Sequence, residues 1–273
     1  MNKTYYVCKY TPIELLAAFG AQCENLNGMP QGFDLADQIA HPNICGFGKS
    51  LIEAVMSGKV KELVLVNCCD TIRSVCDVLE ESGKLDFLYL VDMLHSEGEC
   101  SRERTVIQLK GLAKAYSAYK GTTFDEAAFR AAFHKPERVN GPHISVLGAR
   151  MGQELYEMVQ EAMPYPVENE TCVNNRSVGE MLPPENADFD GLMGWYAGEL
   201  LGQIPCMRMM DNTGRKRLFH DPGLKGIIYH TVKFCDFYSF EYAQVKQNLA
   251  VPLLKIESDY TLQSSGQLLT RLE

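Results

Sequence analysis

Two apolar spacings alternate along the chain. Short segments at 62–67, 86–93, 143–147, 165–169, 227–233 and 251–257 read as strands, and the lack of alternation in Leu63-Val64-Leu65-Val66 predicts cover on both faces. Helices are read between them, over 51–56, 72–81, 102–119, 124–133, 153–162, 192–201 and 240–249, with a last helix starting at 266–272. A short strand near Tyr5 opens the chain, and residues 24–40 read as irregular. Thr11 fits an N-cap, Pro12 the first helical position and Glu14 the acid of a capping box, with Gly20 as the stop. Strand and helix alternate in both halves, which calls for an α/β fold with two parallel layers. The turn-rich stretch Lys135-Pro136-Glu137-Arg138-Val139-Asn140-Gly141-Pro142 divides them, predicting domains at 1–137 and 138–273.

Composition narrows the function. At 46% hydrophobic and 22% charged residues the chain can bury a core. Its 26 basic and 35 acidic side chains leave a net charge of −9, which argues against nucleic-acid binding. The one basic cluster, Arg215-Lys216-Arg217, reads as a solvated loop. No run is long enough for a membrane span and no signal peptide opens the chain, so a cytoplasmic location is expected. In a reducing compartment ten cysteines favour metal binding or catalysis over disulfides, with burial as small apolar side chains as the bland alternative.

Cys69, Cys172 and Cys235 fall just beyond predicted strands, and Cys8, Cys45 and Cys206 fall at turns beside helices. Ligands of open parallel sheets bind outside the strand carboxyl ends, so thiols there suit a soft-metal or iron–sulfur site. No paired Cys-x-x-Cys spacing marks a local zinc site. Cys76 shares a helix face with Ile72 and Leu79 and reads as core, and His95 as structural. Gly46-Phe47-Gly48-Lys49-Ser50 is a faint phosphate-loop match lacking its first glycine, and Lys49 reads as solvated. Gly148-Ala149-Arg150-Met151-Gly152 is an equally weak dinucleotide fingerprint.

Several stretches carry a resemblance in order along the chain: Tyr6-Val7-Cys8-Lys9-Tyr10-Thr11-Pro12-Ile13-Glu14-Leu15, Asn43-Ile44-Cys45, Cys69-Asp70-Thr71, Glu170-Thr171-Cys172, Ile204-Pro205-Cys206, Lys233-Phe234-Cys235-Asp236 and the tail from Gly266 to Glu273. The chain resembles the 2-hydroxyacyl-CoA dehydratase family, its D-component-like subunits in particular. It is also similar to benzoyl-CoA reductase subunits and double-cubane cluster proteins. The resemblance implies two flavodoxin- or Rossmann-like domains with an iron–sulfur cluster between them. It implies an ATP-dependent activator, itself carrying a cluster, that delivers a low-potential electron for radical dehydration or reduction of an acyl-CoA or small substrate. It further implies a homodimer, or a heterodimer with a homologous subunit, in anaerobic metabolism. A single [4Fe-4S] cubane would use Cys45, Cys69 and Cys235. A double cubane would add Cys8, Cys172 and Cys206. The tandem Cys68-Cys69 leaves the choice of thiol to its context, and Asp70-Thr71 favours Cys69. No residue is assigned a catalytic role. The alternative reading is a non-catalytic, cluster-binding partner subunit, favoured by the short chain and by Met207 standing where proline is usual.

Overall fold

The computed structural model describes residues 3–135, 139–247 and 249–264. The first half runs β1 (Thr4–Tyr6), α1 (Ile13–Ala17), β2 (Cys23–Asn25), α2 (Gly46–Met56), β3 (Glu62–Val66), α3 (Asp70–Ser82), β4 (Phe87–Val91), α4 (Glu99–Lys120) and α5 (Glu126–Ala131). The second runs β5 (His143–Gly148), α6 (Gln153–Ala162), β6 (Val167–Asn169), α7 (Phe189–Leu201), β7 (Leu224–Val232), α8 (Asp236–Val245) and β8 (Leu253–Ser258). Each half forms one all-parallel sheet, ordered β2-β1-β3-β4 and β6-β5-β7-β8. This flavodoxin-like order, repeated twice, is the α/β architecture that the alternation predicts. The central strands β3 and β5 are buried at every position, which explains the lack of apolar–polar alternation in β3.

The chain divides into two compact units, but not at one point. One unit contains Met1–Asn25, Val60–Glu137 and Arg176–Asn212; the other contains Leu26–Lys59, Arg138–Asn175 and Thr213–Glu273. The split expected at 137/138 lies outside the described residues. The β2-to-β3 connection, which carries α2, is part of the second unit, and the β6-to-β7 connection, which carries α7, is part of the first. Core chemistry explains the second of these excursions. Leu192, Met193, Tyr196, Ala197 and Leu200 of α7 are buried in one cluster with Leu109, Leu112, Ala113 and Tyr116 of α4. Tyr196 meets Phe129 and Phe133 edge-on at 5.5 and 5.4 Å, a favoured aromatic geometry.

Local expectations fared unevenly. The residue preceding α1 is Pro12, and no side chain caps the helix. Thr11 is instead fully buried, its N–H donating to Cys8 O at 3.0 Å, while Glu14 bonds Arg176 and Tyr196. Within 24–40, Cys23–Asn25 pairs with β1 as an edge strand too short to show a pattern. Arg215 is not solvated. It is buried against the Glu241 carboxylate, which also accepts from Tyr229, and lies over the Tyr238 ring. Lys49 is buried too, paired with Asp37 at 2.7 Å. Cys76 lies in the core as expected. The helix expected at 266–272 lies outside the described residues.

His230, fully buried in β7, carries a pH consequence. Its Nδ1 faces the Ala149 carbonyl at 3.2 Å and its Nε2 faces Ser258 Oγ at 2.9 Å. A carbonyl only accepts, so Nδ1 carries the proton and Nε2 accepts from the serine. Burial, opposed by the Ala149 and Arg150 backbone and by the Glu257 charge, lowers the imidazole pKa to about 4. The folded pKa lies below the unfolded value, so this contribution is complete above about pH 6.5 and lost as pH falls toward 4, up to about 3 kcal/mol. Urea unfolding at pH 7.5 and 4.5 should show a smaller acid loss in His230→Asn than in the parent; equal losses would refute the assignment. Residues 1–137 expressed alone lack α7 and should give a broad, non-cooperative melt, whereas the full chain melts cooperatively.

Candidate metal centre at the strand carboxyl ends

In the first unit the chain leaves β1 for β2 on one side and returns to β3 on the other, so the order reverses at the β1/β3 pair. Ligands of such sheets bind outside the carboxyl ends at this reversal. Cys8 lies two residues beyond β1, and Cys69, three beyond β3, is the residue capping α3. Cys68 lies close enough to interact with both Cys69 and Cys8. The third thiol, Cys206, arrives on the loop after α7. Lys9 Nζ donates to Ile204 O, and the Cys206 N–H donates to the Tyr10 hydroxyl at 3.3 Å. The Arg208 N–H donates to Cys206 Sγ at 3.4 Å, and its guanidinium grips Asp70 at 2.8 and 3.3 Å. The Met210 N–H donates to His95 O at 2.7 Å. The Cys206 loop is thus tied to the turns that carry Cys8 and Cys69.

Electrostatics separates these thiols. The hydrogen bond from Cys68 leads in lowering the Cys69 pKa to about 7; burial opposes it, while the Ile72 N–H and the Arg208 charge assist. Its bonds to Cys69 and Cys8, together with burial, push Cys68 well above the usual thiol range. Burial raises Cys23 to about 12 and Cys76 to about 11.

The second unit repeats the plan with different sources. Cys235 lies three residues beyond β7 and caps α8. The turn that delivers it forces Phe234 to φ +65°, a rare conformation for a bulky residue and one that clusters at functional sites, and the Cys235 N–H closes on Val232 O at 2.9 Å. Cys172 lies three residues beyond β6, its N–H bonded to Gly148 O at the end of β5. Gly148 is at φ +101° with the His230 carbonyl so close that a Cβ would collide. Cys45 caps α2, its sulfur accepting the Gly48 N–H at 3.4 Å. Two residues on, Phe47 packs edge-on to Tyr260 and lies beneath the buried Arg150 guanidinium at 4.3 Å. A Cβ on Gly46 would strike the Asp259 carbonyl, so packing accounts for this glycine without a phosphate ligand.

The six predicted thiols therefore fall three to a unit: Cys8, Cys69 and Cys206 in the first, Cys45, Cys172 and Cys235 in the second. The subset Cys45, Cys69 and Cys235 divides over both. Cys23 and Cys76 lie elsewhere in their unit and Cys100 is exposed in α4. No cysteine forms a disulfide, and among the described residues no three His, Cys, Asp or Glu side chains surround a single ion position. A cluster does not require such convergence, because each thiolate takes a different iron. Soft donors at strand ends, with cations beside them, fit a cluster better than a single hard ion.

A family model described as the 2-hydroxyglutaryl-CoA dehydratase D-component matches residues 8–141 and 134–273. The chain belongs to that family. No curated protein sequence matches it. The D-component family match takes in all six thiols. Among the described residues no helix is long and apolar enough to cross a membrane. Sequence reasoning missed the buried cations Lys9 and Arg150, each of which follows the first strand of a sheet, and the partly exposed Arg208, which carries no motif signal.

In reduced, metal-free protein, iodoacetamide should label Cys69 first, with a pH midpoint near 7. Cys23 and Cys76 should stay unlabelled until unfolding, as read by peptide mass spectrometry. A Cys69 midpoint near 9 would contradict the geometry.

Proposed function

We propose that the chain is the iron–sulfur-bearing component of a low-potential dehydratase or reductase acting on an acyl-CoA or related small substrate. The observation that supports this most is the repeat of three thiols at the carboxyl edge of each of two flavodoxin-like sheets, in a D-component family member. Cys8, Cys69, Cys206, Cys45, Cys172 and Cys235 are the proposed ligands, and six is the number that two cubanes held by three thiolates each would use. Such a group, when bound, supplies single electrons at low potential and an iron able to polarise a substrate oxygen.

The chain's own residues prepare for that load. Thiolate-held clusters carry negative charge, and each unit buries a cation beside the first strand end: Lys9 is 0% exposed and Arg150 4%. Each donates to a backbone carbonyl, Lys9 to Ile204 O and Arg150 to Leu26 O, which fixes the charge in place. Helix N-termini at Cys69, Cys45 and Cys235 add partial positive charge that favours thiolate over thiol. The electron donor we propose is an ATP-hydrolysing activator with its own cluster, and the working assembly a homodimer or a heterodimer with a homologous subunit, in the cytoplasm.

Protein purified without oxygen should contain iron and acid-labile sulfide in equal amounts, with broad visible absorbance. Cys69→Ser and Cys235→Ser should each lower the iron content. Absence of iron and sulfide in the parent would sink the reading, and unchanged iron in both variants would remove the ligand assignment.

A further inference from the structure

The loop that carries Cys206 joins the Cys69 turn through one side chain. Arg208 stands two residues beyond Cys206, and Asp70 immediately follows Cys69. The guanidinium spans both Asp70 carboxylate oxygens, at 2.8 and 3.3 Å, the two-pronged geometry that sets direction as well as distance. The Arg208 side chain is 20% exposed, so it is largely shielded, while Asp70 stands 80% exposed. The same residue's backbone N–H donates to Cys206 Sγ. Arg208 therefore reaches one predicted ligand through its main chain and the neighbour of another through its side chain. Lysine would keep the charge and lose the fork.

Resting on the reading above, we propose that Arg208 is a positioning residue for the first unit's thiols. Its clamp on Asp70 fixes the spacing of Cys206 and Cys69, and its charge and N–H favour the more reduced, more negative state of a cluster held there. Asp70 is the other half of the clamp and carries the opposite charge. The two residues should thus act alike on retention and oppositely on potential, a pattern that mere support of the fold would not produce.

The experiment uses the full chain, purified anaerobically, as the parent and as Arg208→Gln, Arg208→Lys, Asp70→Asn and Arg208→Gln/Asp70→Asn. Iron release to a ferrous chelator should quicken roughly ten-fold in Arg208→Gln and Asp70→Asn, as loss of one charged hydrogen-bonded contact predicts. Arg208→Lys should fall between them and the parent. The double variant should release iron no faster than either single one, because the two groups act through each other. In spectroscopically monitored redox titrations, Arg208→Gln should shift to a more negative potential and Asp70→Asn to a less negative one. Iron-loaded variants that match the parent in release and potential would overturn the inference and leave the cluster reading standing. A parent without iron would overturn that reading. In that event alkylation of Cys206 in metal-free protein still decides the clamp: several-fold faster labelling in Arg208→Gln and Asp70→Asn supports it, and unchanged labelling ends it.

Discussion

Everything at the candidate centre depends on the parallel pairing of β1 with β3 and of β5 with β7. Parallel neighbours share a carboxyl edge, so the loops that follow them emerge on one side of the sheet. Because the order reverses at each pair, the loops diverge and leave a crevice instead of packing against each other. Three-residue β1 has little pairing of its own to spend. Its position is held by β2 and β3 on its flanks and by the Thr4 hydroxyl on the buried Glu62 carboxylate at 2.8 Å. That carboxylate also accepts from Tyr116 and Lys120 of α4, which ties the first strand to a helix of the same core.

Around that frame, charge and burial are arranged unusually. Lys9, Arg150, Arg176 and Arg215 are all largely removed from water, a costly placement unless each head group has partners. Arg176 and Arg215 pair with Glu14 and Glu241, and those carboxylates take a tyrosine hydroxyl as well, from Tyr196 and Tyr229. The Lys9 and Arg150 head groups also donate to backbone carbonyls, Ile204 O and Leu26 O.

The first sheet was legible in the sequence because a strand buried on both faces shows as a bare apolar run, as Leu63-Val64-Leu65-Val66 does, whereas His143 and Ser145 interrupt the equally buried β5. Cys69 and Cys235 were legible as residues past strand ends, because a helix starts directly after each. What pattern could not convey is the partner a buried face chooses. The apolar face of α7 announces burial, yet nothing in its spacing says that it completes the core of α4 and α1. The same blindness made Lys49 and Arg215 look solvated, since a basic side chain reads alike whether or not a distant carboxylate meets it. Thr11 shows the converse: a perfect capping sequence whose hydroxyl the fold buries instead.

The exchange of crossover segments also sets a timetable for synthesis. The first unit needs residues through Asn212, and the second needs segments that begin at Leu26 and run to the chain's end. A nascent chain that has just cleared the ribosome with its first sheet still lacks α7, so the aromatic face formed by Tyr116, Phe129 and Phe133 waits uncovered through the making of some sixty further residues. During that interval Cys8 and Cys69 are present without Cys206. Whatever those three thiols hold in common, the third becomes available only after residue 206 has been made.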